Sequence, residues 1–285
     1  MIPAPFDYVR PTTVDEALQA VAAGGEDVKI MAGGQSLIPV MRLRLAAPET
    51  VVDLGGVAEL KGVREEGEHL VIGAMTTHAE VIADPLIARY AKLIAEATET
   101  VADRQTRRRG TFGGALAHAD PAGDLAAVAL ALDAEMVVAG PSGRRTVPAS
   151  EFFVDYLTTS LDEGEILVEI RVPKLAGDWG VRYEKFNRVA QAWSIVAVAA
   201  AVRREDGHIA EARIGLTNMG PTPLRASATE AALAGAPATA DAIATAARSA
   251  AEGTSPSSDL NAQADYREHL AQVLTRRAVT AAAGL

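Results

Sequence analysis

Two glycine pairs constrain this 285-residue chain more than any other feature of its sequence. Ala32-Gly33-Gly34-Gln35-Ser36 falls between an expected strand at 28–32 and an expected helix at 37–44, and Gly110-Thr111-Phe112-Gly113-Gly114 follows a helical stretch. Without a Cβ, consecutive residues at such a turn can aim their amides into one concavity and let another group approach the backbone closely. Each pair reads as a tight turn by itself. Taken together, with the hydroxyls of Ser36 and Thr111, they read as a clamp for a pyrophosphate. Neither is a dinucleotide fingerprint: the chain has no G-x-G-x-x-G and no Gly-Lys dipeptide of a Walker loop. A nucleotide held here requires a fold of another type.

Hydrophobic spacing divides the chain into three stretches. The first runs helix 14–23, strand 28–32, helix 37–44 and strand 50–54, with Thr13 as cap and Gly24-Gly25 as stop of the first helix. The second opens on a ribbon, 60–64 and 69–73, turning at Glu66-Gly67, followed by helices near 78–83 and 86–101. Asp120-Pro121, an acid at N-cap and proline at the first position, then starts a helix running into 125–132. Strands at 135–139, 144–147 and 165–172 belong to one sheet, and 173–179 reads as a linker. In the last stretch, strands at 181–188, 194–203 and 209–216 form a meander, the final two joined through Asp206-Gly207. Alanine-rich helices at 226–233, 238–251 and 266–282 follow, with a polar break at 253–264. The pattern is α+β, without internal repeats, and its final third is a separate β-then-α module.

Composition removes whole classes of chemistry. The absence of cysteine excludes thiolate metal sites, iron–sulfur ligation and a cysteine nucleophile within this chain. A formal charge of −10 disfavours nucleic acid and anionic membranes as partners. No apolar run is long enough to span a bilayer and the amino-terminal residues lack signal-peptide features, so the expected location is the cytoplasm. Neither G-x-S-x-G nor H-E-x-x-H occurs. The spacing of His118, Asp120 and Asp124 is better explained by a helix cap and a first-turn acid than by a metal site, and Asp124 can equally accept from a ribose or ribityl hydroxyl. Arg104, Arg107, Arg108 and Arg109 form a solvated helix end, a phosphate contact or a docking patch for an acidic partner. Chemistry in such a chain belongs to a bound cofactor.

Read in order, seven segments carry a specific resemblance: Phe6-Asp7-Tyr8, Ala32-Gly33-Gly34-Gln35-Ser36-Leu37-Ile38-Pro39, Ile72-Gly73-Ala74-Met75-Thr76-Thr77-His78, Arg109-Gly110-Thr111-Phe112-Gly113-Gly114, Asp120-Pro121-Ala122-Gly123-Asp124-Leu125, Glu165-Ile166-Leu167-Val168-Glu169-Ile170 and Thr217-Asn218-Met219-Gly220. Over nearly its whole length the chain resembles the FAD-binding medium subunits of the molybdenum hydroxylases, the xanthine dehydrogenase family, and within it the aerobic carbon monoxide dehydrogenase branch. The resemblance implies a vanillyl-alcohol-oxidase (PCMH)-type FAD-binding fold of two subdomains, 1–58 and 59–175, and a carboxy-terminal α+β domain at 178–285. It implies FAD as cofactor. Ile30, Met31, Ala32, Gly33, Gly34, Gln35, Ser36 and Leu37 would form the first FAD loop, with main-chain amides and Ser36 on the pyrophosphate, and Thr111, Gly113 and Gly114 the second.

By the same resemblance Asp124 would bind hydroxyls of the FAD sugar or ribityl chain, Leu167 would lie near the flavin rings, Lys185 would add positive charge near the cofactor, and Trp193 would cover the isoalloxazine. From residue type alone, Trp193 also reads as a core anchor of the third module and Lys185 as a surface strand residue. Ala115, Arg108 and Gln35 stand where relatives commonly have Asn or Asp, Asn, and His. The implied function is electron transfer, with no catalytic residue or metal ligand in this chain: a molybdenum-cofactor large subunit oxidises the substrate, an iron–sulfur small subunit relays electrons, and FAD here passes them to a quinone, NAD or oxygen. A dimer of heterotrimers is the assembly implied. Two other readings are a stand-alone flavin-dependent oxidoreductase of the same fold and a scaffold that has lost FAD.

Overall fold

The computed structural model describes residues 2–175 and 177–285. Met1, and Ala176 within the expected linker 173–179, lie outside the described residues. The amino-terminal stretch forms a three-stranded parallel sheet in the order Asp7–Val9, Thr50–Asp53, Val28–Met31. Helices Val14–Ala23 and Leu37–Arg42 occupy the crossovers, and the Thr13 side chain caps the first by accepting the Glu16 N–H. Strand Asp7–Val9 has no signature in the sequence, because three exposed residues show no alternation; pairing with Thr50–Asp53 is what makes it a strand.

All the strands expected in the second stretch join one antiparallel sheet, ordered Val63–Glu66, His69–Gly73, Ile166–Pro173, Glu135–Gly140, Gly143–Pro148. Alternation along these strands divides two cores. Leu70, Ile72, Met136, Val138 and Ile170 pack under the helices, whereas Val137, Ala139, Ile166 and Val168 pack against Val14, Val21, Val52 and Leu54 of the amino-terminal stretch.

The meander is Trp179–Phe186, Val196–Glu205, His208–Thr217 and a two-residue edge, Leu224–Arg225. Asp206 and Gly207 both have positive φ (49° and 78°), the geometry of a tight hairpin turn. The middle strand is buried on both faces: Val196, Val198, Ala200 and Val202 meet helix Ala264–Ala282, while Ala197, Ala199 and Ala201 join the core that contains helix Asp124–Ala131. Two glycines allow this close fit. A Cβ on Gly180 would lie 1.8 Å from the Ala282 carbonyl oxygen, and one on Gly215 would lie 2.1 Å from that of Ala127.

Three helices differ from expectation. The stretch 86–101 is two helices, Pro85–Tyr90 and Lys92–Glu99, because Ala91 leaves helical geometry at φ −143°. The stretch 238–251 is helix Ala240–Ala246 and then a short 3-10 turn, Ala247–Ser249. Asp120 does not begin a helix. Its carboxylate accepts the Ala122 N–H at 2.9 Å and its carbonyl accepts the Gly123 N–H at 2.8 Å, which closes a local turn, so the helix starts at Asp124 after an extended Gly123. That shift carries Asp124 inside: all eight residues of helix Asp124–Ala131 are buried.

Candidate functional site

Where strand Val28–Met31 ends, the chain turns through Gly34 at φ +72° before helix Leu37–Arg42. Among the described residues, none of the five successive amides from Gly33 to Leu37 donates to a protein acceptor. Unengaged amides clustered about a left-handed glycine form a concavity suited to an anion. A Cβ on Gly33 would sit 2.2 Å from the Arg109 carbonyl oxygen and 2.6 Å from Gly110 Cα, and one on Gly114 would sit 3.0 Å from Ala32 Cβ. The two glycine segments are therefore in backbone contact.

The second segment lies alongside residues 74–78: the Phe112 and Gly113 amides donate to the Thr76 and Ala74 carbonyls, and the His78 amide to Gly110, each at 2.9 Å. Thr111 caps helix Phe112–His118 by accepting the Gly114 N–H at 3.1 Å. Gly113 and Gly114 thus lie in a first helical turn rather than in a loop, and their amides already have acceptors. The segment contributes close-fitting surface, and Gly113 is required for it: a Cβ there would lie 2.5 Å from Ala74 Cβ.

Under this segment lies His78, which residue spacing alone did not mark. It is 4% exposed, its Nδ1 has no partner among the described residues, and a Cβ on Gly110 would come within 2.9 Å of its ring. Burial first, then the Arg107 guanidinium, pull its pKa from 6.5 to about 4. The folded state holds the neutral ring, so the unfolded chain takes up the proton first as pH falls. Stability is then lost from pH 6.5 down towards about 4, by up to about 3 kcal/mol. Urea midpoints at about pH 7 and about pH 4.5 should therefore differ more for the wild type than for His78→Gln; equal differences would show that His78 does not titrate in this window.

Asp124 is the centre of a buried polar cluster. Its Oδ1 accepts the hydroxyls of Tyr183 and Ser194, each at 2.7 Å, and its Oδ2 pairs with Lys185 Nζ at 2.8 Å, the Lys and Asp side chains being 6% and 4% exposed. Lys185 also donates to the Thr100 carbonyl. Lys185 is not a surface residue, and its charge is matched by Asp124. Burial first, and then the Asp124 charge, hold the Tyr183 phenol protonated, well above its ordinary pKa. Tyr183 carried a signal in the sequence, since it lies two positions before Lys185 and so on the same strand face; Ser194 carried none.

Leu167 is buried in strand Ile166–Pro173 beside a register shift between Leu167 and Glu169. Trp193 is 53% exposed, which overturns the core-anchor reading; its ring lies 6.5 Å from that of His118, and a Cβ on Gly123 would be 3.9 Å from it. Of the arginine cluster, Arg107 is held by the Val101 and Ala102 carbonyls, while Arg104, Arg108 and Arg109 are exposed. The structure thus joins the two glycine segments to each other and Asp124 to Lys185.

Comparison with known proteins finds two family models in tandem: "FAD binding domain in molybdopterin dehydrogenase" over residues 4–175 and "CO dehydrogenase flavoprotein C-terminal domain" over 181–282. The chain is 42% identical over 282 residues to the carbon monoxide dehydrogenase medium chain of Hydrogenophaga pseudoflava, covering 99% of this chain and 98% of that protein. It is 35% identical to subunit alpha of the 6-hydroxypseudooxynicotine dehydrogenase complex of Paenarthrobacter nicotinovorans, covering 99% and 96%. A solved structure of the Hydrogenophaga pseudoflava carbon monoxide dehydrogenase, in a form lacking the Mo-pyranopterin moiety of its cofactor, contains a chain that superposes with a TM-score of 0.96 at 44% identity, covering 99% of this chain and 98% of that one.

Proposed function

Because this chain belongs to the family of FAD-binding medium subunits of molybdenum-cofactor dehydrogenases, we propose that it accepts electrons from an iron–sulfur small subunit and delivers them to a quinone, NAD or oxygen. A molybdenum-cofactor large subunit would oxidise the substrate. The family makes the chain an oxidoreductase subunit with FAD as its cofactor. The observation that carries the site assignment is the run of unengaged amides from Gly33 to Leu37 seated against the second glycine segment.

The residues fit such a cofactor. The amides from Gly33 to Leu37, with the Ser36 hydroxyl, hold the pyrophosphate, and Ile30, Met31 and Ala32 bring the chain to that turn. Gly113 and Gly114, whose amides are engaged, back it with surface, and Thr111 keeps its hydroxyl proton to donate. Asp124 keeps capacity on Oδ2 for a sugar or ribityl hydroxyl, and Lys185 keeps one N–H after its two contacts in the protein. FAD, when bound, supplies reversible electron exchange. Leu167 and Trp193 shield the ring system from water, and the paired Lys185 and Asp124 add dipole without a net charge. The described residues contain no helix long and apolar enough to cross a membrane.

The proposed units are 1–58 and 59–175 as PCMH-type FAD-binding subdomains and 178–285 as the third, an assignment supported by a hydrophobic cluster made wholly of residues 195–283. The proposed assembly is a dimer of heterotrimers. The test is a visible absorption spectrum after incubation with FAD and desalting, followed by anaerobic addition of NADH or a quinol. Stoichiometric flavin bands, reduced slowly by these carriers and rapidly by the reduced iron–sulfur partner, are expected. Turnover of a small organic substrate without partners would point to a stand-alone enzyme, and absence of flavin after reconstitution would remove the FAD assignment.

A further inference from the structure

The backbone beside Trp193 carries more hydrogen bonds than the exposure of that side chain requires. Its ring is not held by burial, yet the backbone just after it is fixed from three distant elements. Ser194, 2% exposed, donates its hydroxyl to Asp124 at the start of helix Asp124–Ala131. Asn218 Nδ2 donates to the Ser194 carbonyl at 2.8 Å and to that of Ile195 at 3.3 Å, and the Asn218 N–H donates to the Pro121 carbonyl at 2.8 Å. Arg267, 1% exposed in helix Ala264–Ala282, donates Nη1 to the same Ile195 carbonyl and pairs Nη2 with Asp259 at 2.8 Å.

Two of these groups are costly. Asn218 sits at φ 63°, in the left-handed region. The Arg267 Nε has no partner among the described residues although the guanidinium is buried, and a buried charge is tolerated only when its other hydrogen bonds are good. Both groups converge on the carbonyls of residues 194 and 195, directly after Trp193. An exposed side chain that merely faced solvent would need no such convergence; a ring that must present one face at a set angle to a planar partner would.

We propose that Ser194, Asn218 and Arg267 are positioning residues for Trp193, fixing the angle at which its indole meets the flavin. The proposal rests on the reading that Trp193 covers that ring. With Trp179→Phe as background, Trp193 is the sole tryptophan, and its fluorescence anisotropy in the FAD-free protein reports the mount directly. Ser194→Ala, and Asn218→Gly, which keeps the left-handed backbone, should lower that anisotropy, and each should weaken FAD binding by about fivefold, the worth of one ordinary hydrogen bond. Ser194→Thr, which keeps the hydroxyl, should restore both values.

Lower thermal stability with unchanged Trp193 anisotropy in Ser194→Ala and Asn218→Gly would overturn the proposal and leave these residues a structural role only. Lower anisotropy with unchanged FAD affinity would overturn its link to the flavin. A wild-type chain that binds no FAD would instead overturn the function proposed above, while the anisotropy comparison would still decide the mount.

Discussion

Gly33→Val is expected to abolish flavin retention. The added Cβ would lie 2.2 Å from the Arg109 carbonyl oxygen and 2.6 Å from Gly110 Cα. Both are backbone atoms, so neither can rotate aside, and the two glycine segments must part by an ångström or more. Parting them disturbs the geometry of the amides from Gly33 to Leu37, and the loss in FAD affinity should be at least about a hundredfold, near 3 kcal/mol. Gln35→Ala is the control. Its side chain is exposed and makes a 3.1 Å bond to its own turn at Gly33, so flavin per protein after desalting should stay near the wild-type value. Full flavin retention in Gly33→Val would show that contact between the segments does not shape the site.

Asp124→Ala is expected to be the most destabilising change at the carboxylate cluster. It strands the Lys185 ammonium and removes the acceptor of both the Tyr183 and Ser194 hydroxyls. Breaking one side of a buried pair costs about 3–5 kcal/mol, because the remaining charge stays in a poor solvent. Lys185→Met should cost less, since the carboxylate then still accepts two hydroxyls, and Asp124→Leu with Lys185→Met should recover part of the loss. Urea denaturation of the FAD-free proteins measures all three and keeps the comparison independent of cofactor binding. Asp124→Ala within about 1 kcal/mol of wild type would mean that the cluster is solvated in solution.

Elements with strong local signals were legible in the sequence: helix Val14–Ala23 with its Thr13 cap, the strands of the five-stranded sheet, and the meander with its Asp206-Gly207 turn. Local chemistry misled at Asp120, where a cap residue followed by proline is as good a turn as a helix start, and the choice depended on Asp124 being drawn into contact with Lys185 and Tyr183. Strand Asp7–Val9 was hidden for the complementary reason, since only its non-local partner defines it. Within the candidate site the two glycine pairs were visible, but their unequal parts were not. Whether an amide is free or already bonded depends on what lies beside it: residues 76 and 74 accept the Phe112 and Gly113 amides, and the Thr111 side chain accepts that of Gly114. His78 and Ser194 escaped notice because burial and long-range hydrogen bonding leave no periodic trace.

The flush contact at Gly215 bears on how such a chain can evolve. Helix Asp124–Ala131 has no solvent face, and part of its cover is a sheet from the last third of the chain, seated so closely that one methyl group at residue 215 would collide with the Ala127 carbonyl. Exchange of the carboxy-terminal third between relatives by recombination would thus require a match at backbone level, beyond a similar apolar surface. Drift on one side of that seam would have to be answered on the other, which favours inheritance of the two parts as a single block.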